Sequence, residues 1–296
     1  MNNTIAASRV KAILPQGSVP VVDTPGTVRR TVFQTKGQIH GPITRLVSPH
    51  KLGELIKPFV FLDYGVGKYT GTPLFGIHPH SGIATLTAVL QGGINYEDTT
   101  GKSGEVMAGG VEWMKAGNGV WHDGGIVEGD TTRLFQLWVA LPDDQENSPA
   151  ESQYIHASEI QEDGPVRVLL GQHGKASSPI RAPRGINYFH IRLRPGQLWR
   201  YVPPAGHTVA WLAVDQGRLR TDIMVGGGEL AVYEESTVPV EVKAEVETSF
   251  VFGSAVKHPH PLVTGTYSVH TNAEALEKGE AEIRRIGRVL HAQGRL

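Results

Sequence analysis

The sequence predicts an all-β protein with two strand-rich halves and one helix at its C-terminal end. Turn-forming residues are abundant, with 36 Gly and 19 Pro among 296 residues. Between the turns, short apolar or β-branched runs recur, as in ATLTAVL at 84–90. Helical periodicity is clear only in the last part of the chain. Many short strands separated by turns are typical of β-sandwiches and β-barrels.

Composition excludes several classes of protein. The chain has no Cys, a formal net charge of −1 and 40% hydrophobic residues. The lack of Cys excludes disulfide frameworks, cysteine-based metal clusters and thiol nucleophiles. A near-neutral charge argues against direct nucleic-acid binding, and no apolar run is long enough to cross a membrane. The N-terminal residues lack the pattern of a signal peptide, so the cytoplasm is the expected location.

Four segments are predicted along the chain. Residues 1–35 form an N-terminal extension with several Pro and Gly, and residues 36–145 form the first β-rich domain. Residues 146–165 are polar and interrupted by proline, which predicts a linker. Residues 166–296 form the second β-rich domain together with the terminal helix.

The strands of both domains follow from β-branched or apolar runs that end at turn residues. In the first domain the run at 84–90 ends at a Gln-Gly-Gly turn, and the run at 133–141 stops at Pro142. The other predicted strands are 94–98, 111–114, 166–170, 188–193, 209–214, 229–233, 240–246 and 249–252.

The terminal helix begins at a capping signal. Thr271 and Glu274 have the spacing of a capping box. Downstream apolar residues recur on one helical face, which indicates packing against the body of the protein; they are Leu276, Ile283, Ile286 and Leu290.

Thirteen His in a chain without Cys direct attention to imidazole ligands. His78 and His80 flank Pro79, and in an extended segment their side chains share one face. His122 follows a glycine-rich turn that could return it over this pair. Such a group can bind a divalent metal, and a polar strand end with hydrogen-bonded histidines is the alternative. A second His-Pro-His at 258–260 is expected to be a surface loop.

Several stretches together resemble the pirin family of bicupins. They are HPHSGIATLTAVLQGG at 78–93, YEDTTGKSG at 96–104, VEWMKAGNGVWHDGG at 111–125 and LFQLWVALP at 134–142. The resemblance extends over about residues 35–290. It implies two cupin, jelly-roll-like β-barrel domains with one metal, usually iron, in the N-terminal barrel.

The family's three histidine ligands fall on His78, His80 and His122. Its glutamate ligand falls on Gly124, and the acidic residue that many members carry on the first ligand strand falls on Ala84. A site of three neutral histidines could still hold Fe, Ni, Cu, Zn or Mn, and a metal-free protein remains open. Three further carboxylates are alternative ligands, namely Asp123, Glu97 and Glu112.

The resemblance implies two functions. The first is a metal-dependent dioxygenase of the quercetin 2,3-dioxygenase type, acting on a small aromatic, flavonol-like substrate. Trp113, Met114 and Trp121 would line the substrate pocket, with a role in the core as the alternative for each. No catalytic acid or base is assigned. The second is a non-enzymatic protein whose metal responds to redox state and that binds a regulatory protein partner.

Overall fold

The computed structural model describes residues 28–68, 75–129 and 131–296. Strands dominate this part of the chain, so the predicted all-β class is confirmed. In chain order they are β1 (Thr31–Thr35), β2 (Gln38–His40), β3 (Ile43–Val47), β4 (Phe59–Gly67), β5 (Phe75–His80), β6 (Ile83–Gln91), β7 (Gly93–Asp98), β8 (Ser103–Met107), β9 (Val111–Lys115), β10 (Val120–Ile126), β11 (Thr132–Ala140), β12 (Glu151–Ile155), β13 (Glu162–Asp163), β14 (Val166–Leu170), β15 (Gln172–His173), β16 (Ala176–Ser177), β17 (Ile186–Leu193), β18 (Leu198–Tyr201), β19 (His207–Gln216), β20 (Arg218–Arg220), β21 (Met224–Gly226), β22 (Leu230–Tyr233), β23 (Val240–Ala244), β24 (Thr248–Val256), β25 (Val263–Thr264) and β26 (Val269–His270).

The strands form two barrels, each built from a seven-stranded and a four-stranded sheet. In the first barrel the orders are β12-β9-β6-β11-β4-β3-β2 and β5-β10-β7-β8. In the second barrel they are β1-β22-β19-β24-β17-β14-β13 and β18-β23-β20-β21. Two short pairs complete the described strands, β15 with β16 and β25 with β26.

The two large sheets pack against each other through an apolar core. Strand β6 is buried along almost its whole length, as expected for a strand covered on both faces. The shared core contains Leu86 and Trp113 from the first barrel and Trp211 from the second. Phe59 meets Trp211 edge to face, with 5.3 Å between ring centroids. This interface therefore holds the barrels together through buried apolar area.

Two predicted boundary segments contribute strands. Residues 1–27 of the predicted N-terminal extension lie outside the described residues, but β1 pairs with β22 of the second barrel. Within 146–165, predicted to be a linker, β12 pairs with β9 and forms the edge of the first large sheet. The first three residues of this strand, Glu151, Ser152 and Gln153, are polar, which is why composition alone suggests a connection.

The described residues contain a short helix, α1 (Glu54–Ile56), and a long one, α2 (Ala273–Ala292). Asn272 caps α2 by accepting a hydrogen bond from the Ala275 amide at 2.9 Å, so the cap lies one residue later than the predicted capping box. Helix α2 packs on the first barrel, where Trp121 Nε1 donates to Ile283 O at 2.8 Å. No helix in these residues is long and apolar enough to span a membrane.

Candidate metal centre

Two antiparallel strands of the first barrel carry the three predicted histidine ligands. In the pairing of β5 with β10, His78 lies opposite His122. His80 follows His78 by two residues, and the period of a strand therefore places both rings on one face. The register of β5 and β10 therefore brings the three histidine side chains together, as the sequence predicts.

The histidine rings form a compact group at one end of the barrel. The centroid of the His78 ring lies 5.0 Å from that of His80 and 4.4 Å from that of His122. One ring nitrogen from each histidine lies within 4.8 Å of the others. His78 Nε2 and His122 Nε2 are 3.0 Å apart.

Backbone carbonyls fix the tautomers of two of these histidines. His78 Nδ1 donates to Gly76 O at 2.8 Å, and His80 Nδ1 donates to Tyr267 O at 3.1 Å. A carbonyl can only accept, so the proton of each neutral ring is on Nδ1 and the lone pair is on Nε2. Both Nε2 atoms are therefore available as metal ligands.

Burial keeps the histidines neutral. Desolvation lowers the pKa of His80 to about 3. The same cause lowers the pKa values of His78 and His122 below their ordinary value. Metal ions bind the neutral imidazole, so near pH 7 no proton has to be removed from these rings before binding.

The donor set fits a first-row divalent metal. Nitrogens bound at right angles to one ion, each about 2.1 Å away, are about 3.0 Å apart, which matches the separation of His78 Nε2 and His122 Nε2. Imidazole suits Fe, Ni, Cu and Zn alike. These residues can hold a metal, and the donors alone do not select which one.

A cavity of about 770 Å³ opens above the histidines. Its wall includes the stacked pair Phe61 and Trp138, whose ring centroids are 4.0 Å apart. The His80 ring meets Trp138 at 4.8 Å. We call residues 262–272 the C-terminal strap, and its residues 264–269 also line the cavity. The volume is in the range of small-molecule sites.

Comparison with known proteins identifies a matching family model and similar relatives. The family model described as "Pirin" matches residues 41–139. A relative from Pseudomonas aeruginosa named "putative quercetin 2,3-dioxygenase" is 29% identical over 239 residues, covering 75% of this chain and 83% of the relative. "Pirin-like protein 2" of Arabidopsis thaliana is 27% identical over 236 residues, covering 78% of this chain and 70% of that protein. The chain therefore carries a pirin domain over residues 41–139 and is similar to pirin-like proteins over most of its length.

A solved structure shares the fold of this chain. The crystal structure of quercetin 2,3-dioxygenase from Acinetobacter baumannii superposes with a TM-score of 0.81 at 24% identity. The match covers 88% of this chain and 98% of that one. The predicted pair of cupin barrels with a C-terminal helix is thereby confirmed.

The pirin pattern expects a glutamate where this chain has Gly124. This residue lies in β10, and a Cβ built on it would come 3.0 Å from Asn95 O. Ala84, at the second acidic position, is fully buried in the core between the barrels. Neither position supplies a carboxylate, as the sequence indicates.

The alternative carboxylates lie in different places. Asp123 lines the cavity, and its Oδ1 accepts the Gly124 amide at 2.8 Å. Glu97 is exposed and pairs with Arg295. Glu112 is 4% exposed and also lines the cavity, with its Oε1 3.9 Å from His122 Nδ1. The buried carboxylate beside the histidines is therefore Glu112.

A row of polar side chains holds Glu112 on the barrel wall. Thr87 Oγ1 donates to Glu112 Oε2 at 2.6 Å and lies 2.6 Å from Gln136 Oε1. Burial raises the pKa of Glu112 to about 7, although the bond from Thr87 acts in the opposite direction. Sequence reasoning did not identify Thr87 or Gln136. The available signal was their position in the middle of β6 and β11, where most neighbouring residues are apolar.

The expected substrate pocket needs correction. Trp113, Met114 and Trp121 are absent from the cavity lining within the described part of the chain. Trp113 points to the opposite face of β9 from Glu112 and joins the core between the barrels. Met114 shares the Glu112 face but belongs to a separate apolar cluster. Trp121 contacts α2.

Proposed function

We propose that this protein is a metal-dependent dioxygenase of the quercetin 2,3-dioxygenase type. The observation that carries the proposal is the group of three neutral histidines facing a cavity large enough for a small aromatic molecule. The name of the Pseudomonas aeruginosa relative supports the same chemistry. The substrate we propose is flavonol-like, and the metal we propose is iron.

Each part of the cavity has a role in this proposal. His78, His80 and His122 would hold the metal, which when bound supplies Lewis acidity for a substrate enolate and redox chemistry for O₂. Phe61 and Trp138 add apolar surface to the cavity wall, and the Arg45 guanidinium covers the Phe61 ring at 3.9 Å from its centroid. Trp138 meets the His80 ring, so an aromatic substrate in contact with Trp138 would lie next to the metal ligands.

An aerobic assay tests the activity. Protein loaded separately with Fe²⁺ or Ni²⁺ is mixed with quercetin, and flavonol absorbance and O₂ uptake are followed together. We expect loss of the flavonol with matching consumption of O₂. A correctly metallated sample that turns over no flavonol would contradict the proposed activity.

The metal site is tested by metal analysis of purified variants. His80→Ala removes a ligand, and we expect its metal content to fall at least tenfold because two imidazoles bind weakly. The matched control is His260→Ala, in the second His-Pro-His segment, where the side chain is 40% exposed. The control should keep wild-type metal content. Equal metal content in wild type and His80→Ala would refute the site.

A further inference from the structure

Within the described residues, the group of candidate ligand atoms at the metal centre consists of three histidines and contains no carboxylate. We propose that Glu112 supplies the carboxylate of this site from a different strand, acting through His122 as the acceptor of its Nδ1 proton. Glu112 is then a positioning residue rather than a ligand. The inference rests on the proposed metal function and identifies a residue on which metal affinity depends.

The His122 ring has one nitrogen toward the other two histidines and one toward Glu112. Its Nε2 lies 3.0 Å from His78 Nε2, at the point where the ligand atoms converge. Its Nδ1, on the other side of the ring, faces Glu112 Oε1 at 3.9 Å. Because Nε2 must present a lone pair to a metal, the ring proton must lie on Nδ1. Glu112 is on the side of the ring that carries that proton.

The other two candidate ligands each donate their Nδ1 proton to a fixed acceptor. The Nδ1 proton of His78 is held by Gly76 O, and that of His80 by Tyr267 O. Metal-binding histidines commonly donate their second N–H to a carbonyl or a carboxylate, which fixes the tautomer and makes the ring a stronger ligand. Glu112 is placed to complete this pattern for the third histidine, because a closure of less than about 1 Å would bring its Oε1, now 3.9 Å from His122 Nδ1, to hydrogen-bond distance.

Glu112 is held in place by burial and by a hydrogen bond. Its side chain is almost fully buried, and Thr87 Oγ1 donates to Oε2 at 2.6 Å. That bond leaves Oε1 directed toward His122. Among the residues that the structure describes, the group of possible ligand atoms within 4.8 Å of one another contains the three histidines and not Glu112. The Glu112 carboxylate therefore contacts His122 on the side away from the ligand group and does not belong to that group.

The effect on the metal follows from charge. Three neutral histidines leave the full charge of a divalent ion uncompensated in a buried environment. A carboxylate that contacts the far side of one histidine ring offsets part of that charge. Gly124 has no side chain and so contributes no negative charge to the site. Removing such an outer carboxylate typically weakens metal binding 10- to 100-fold.

The test compares the Co²⁺ affinity of full-length wild type with that of Glu112→Gln, by competition with a coloured chelator. The competition is run at pH 8, above the pKa of about 7 of Glu112, so that Gln keeps the size of the side chain and removes its charge. We expect Co²⁺ binding to weaken about 10- to 100-fold. The absorption bands of bound Co²⁺ should keep the wild-type coordination number, because no ligand is lost.

Glu97→Gln is the matched control. It removes the same charge from the same barrel, but Glu97 is exposed and paired with Arg295. Its Co²⁺ affinity should remain within twofold of wild type. Unfolding temperatures without metal show whether each variant is folded.

One measurement needs no substitution, so it stands even if Glu112→Gln misfolds. In wild type loaded with Zn²⁺, NMR should detect a slowly exchanging proton on His122 Nδ1, because a buried carboxylate holds it. A proton that exchanges rapidly with water would overturn the inference.

The outcomes separate this inference from the proposed function. If wild type binds Co²⁺ and Glu112→Gln binds it equally well, the role of Glu112 is refuted while the metal site stands. A changed Co²⁺ coordination number in Glu112→Gln would also refute it, since Glu112 would then be a ligand. If wild type binds no metal, the proposed function fails and this inference fails with it.

Discussion

At the scale of single residues, the geometry around His80 depends on Gly82. The Gly82 backbone has φ +74°, and a Cβ there would lie 2.0 Å from Val269 O. Its amide also donates to Gly117 O at 2.8 Å. Strand β5 and the C-terminal strap can approach so closely only because this residue has no side chain. The same approach brings Tyr267 O to His80.

We expect Gly82→Ala to destabilise the protein and weaken metal binding. The added methyl must displace Val269, and with it the carbonyl that fixes the His80 tautomer. The expected loss is on the order of 3 kcal/mol in the free energy of unfolding, measured by urea titration.

The control for this prediction is Gly196→Ala. Gly196 has φ +77°, and in the part of the chain that the structure describes no atom lies within 4 Å of its Cβ position. This variant carries the backbone strain without the collision, at a cost of about 1 kcal/mol. Equal losses in the two variants would show that the contact with Val269 is unimportant.

At the scale of elements, the C-terminal strap is anchored by a buried carboxylate. Glu146 accepts hydrogen bonds from the amide and the hydroxyl of Thr271, both at 2.7 Å. Its Oε2 lies 3.3 Å from His270 Nδ1, and His270 Nε2 lies 3.0 Å from Ser81 Oγ. Ser81 follows His80 directly. A continuous polar network therefore connects the start of α2 to the ligand strand.

We expect Glu146→Gln to loosen this connection. The substitution weakens hydrogen bonds to a buried charge, at a cost of about 2 kcal/mol. It should also lower metal affinity severalfold, because Tyr267 O lies on the strap. Calorimetric unfolding and Co²⁺ titration measure the two effects. Glu277→Gln, on the exposed face of α2, should change neither, and unchanged metal affinity in Glu146→Gln would contradict the anchoring role.

The limits of sequence reasoning are also clearest at the scale of elements. The His-x-His spacing and the glycine-rich turn indicated a shared site, because the period of a strand fixes which side chains share a face. The direction of Glu112 could not be predicted from VEWMK, where apolar residues occupy both faces of β9. A shift of one residue in register would exchange Glu112 with Trp113. The docking of α2 on the first barrel depends on contacts distant in sequence, which local periodicity does not encode.

At the scale of the whole molecule, the burial that makes the barrels stable also buries histidines. His190 is 2% exposed in the second barrel, and its Nε2 lies 3.0 Å from Ser249 Oγ. Burial lowers the pKa of His190 to about 3 and that of His258 to about 4. Both side chains lie outside the metal site, so they affect folding stability independently of any metal.

The sign of the pH dependence follows from these lowered pKa values. The pKa of His190 is 6.5 in the unfolded chain and about 3 in the folded protein. Between these two pH values the unfolded chain binds a proton at His190 and the folded protein does not. Stability is therefore highest above pH 6.5 and falls as the pH drops toward 3. At pH 5 the loss from His190 alone is about 2 kcal/mol. Urea unfolding with a metal chelator present, at pH 7 and pH 5, measures it.

The comparison that isolates His190 is His190→Asn, which cannot titrate. Its absolute stability will differ because the contact with Ser249 changes, so the relevant quantity is the stability difference between pH 7 and pH 5. We expect that difference to be about 2 kcal/mol smaller in the variant than in wild type. The same difference in both proteins would mean that folded His190 takes up its proton as readily as the unfolded chain, which burial at 2% exposure opposes.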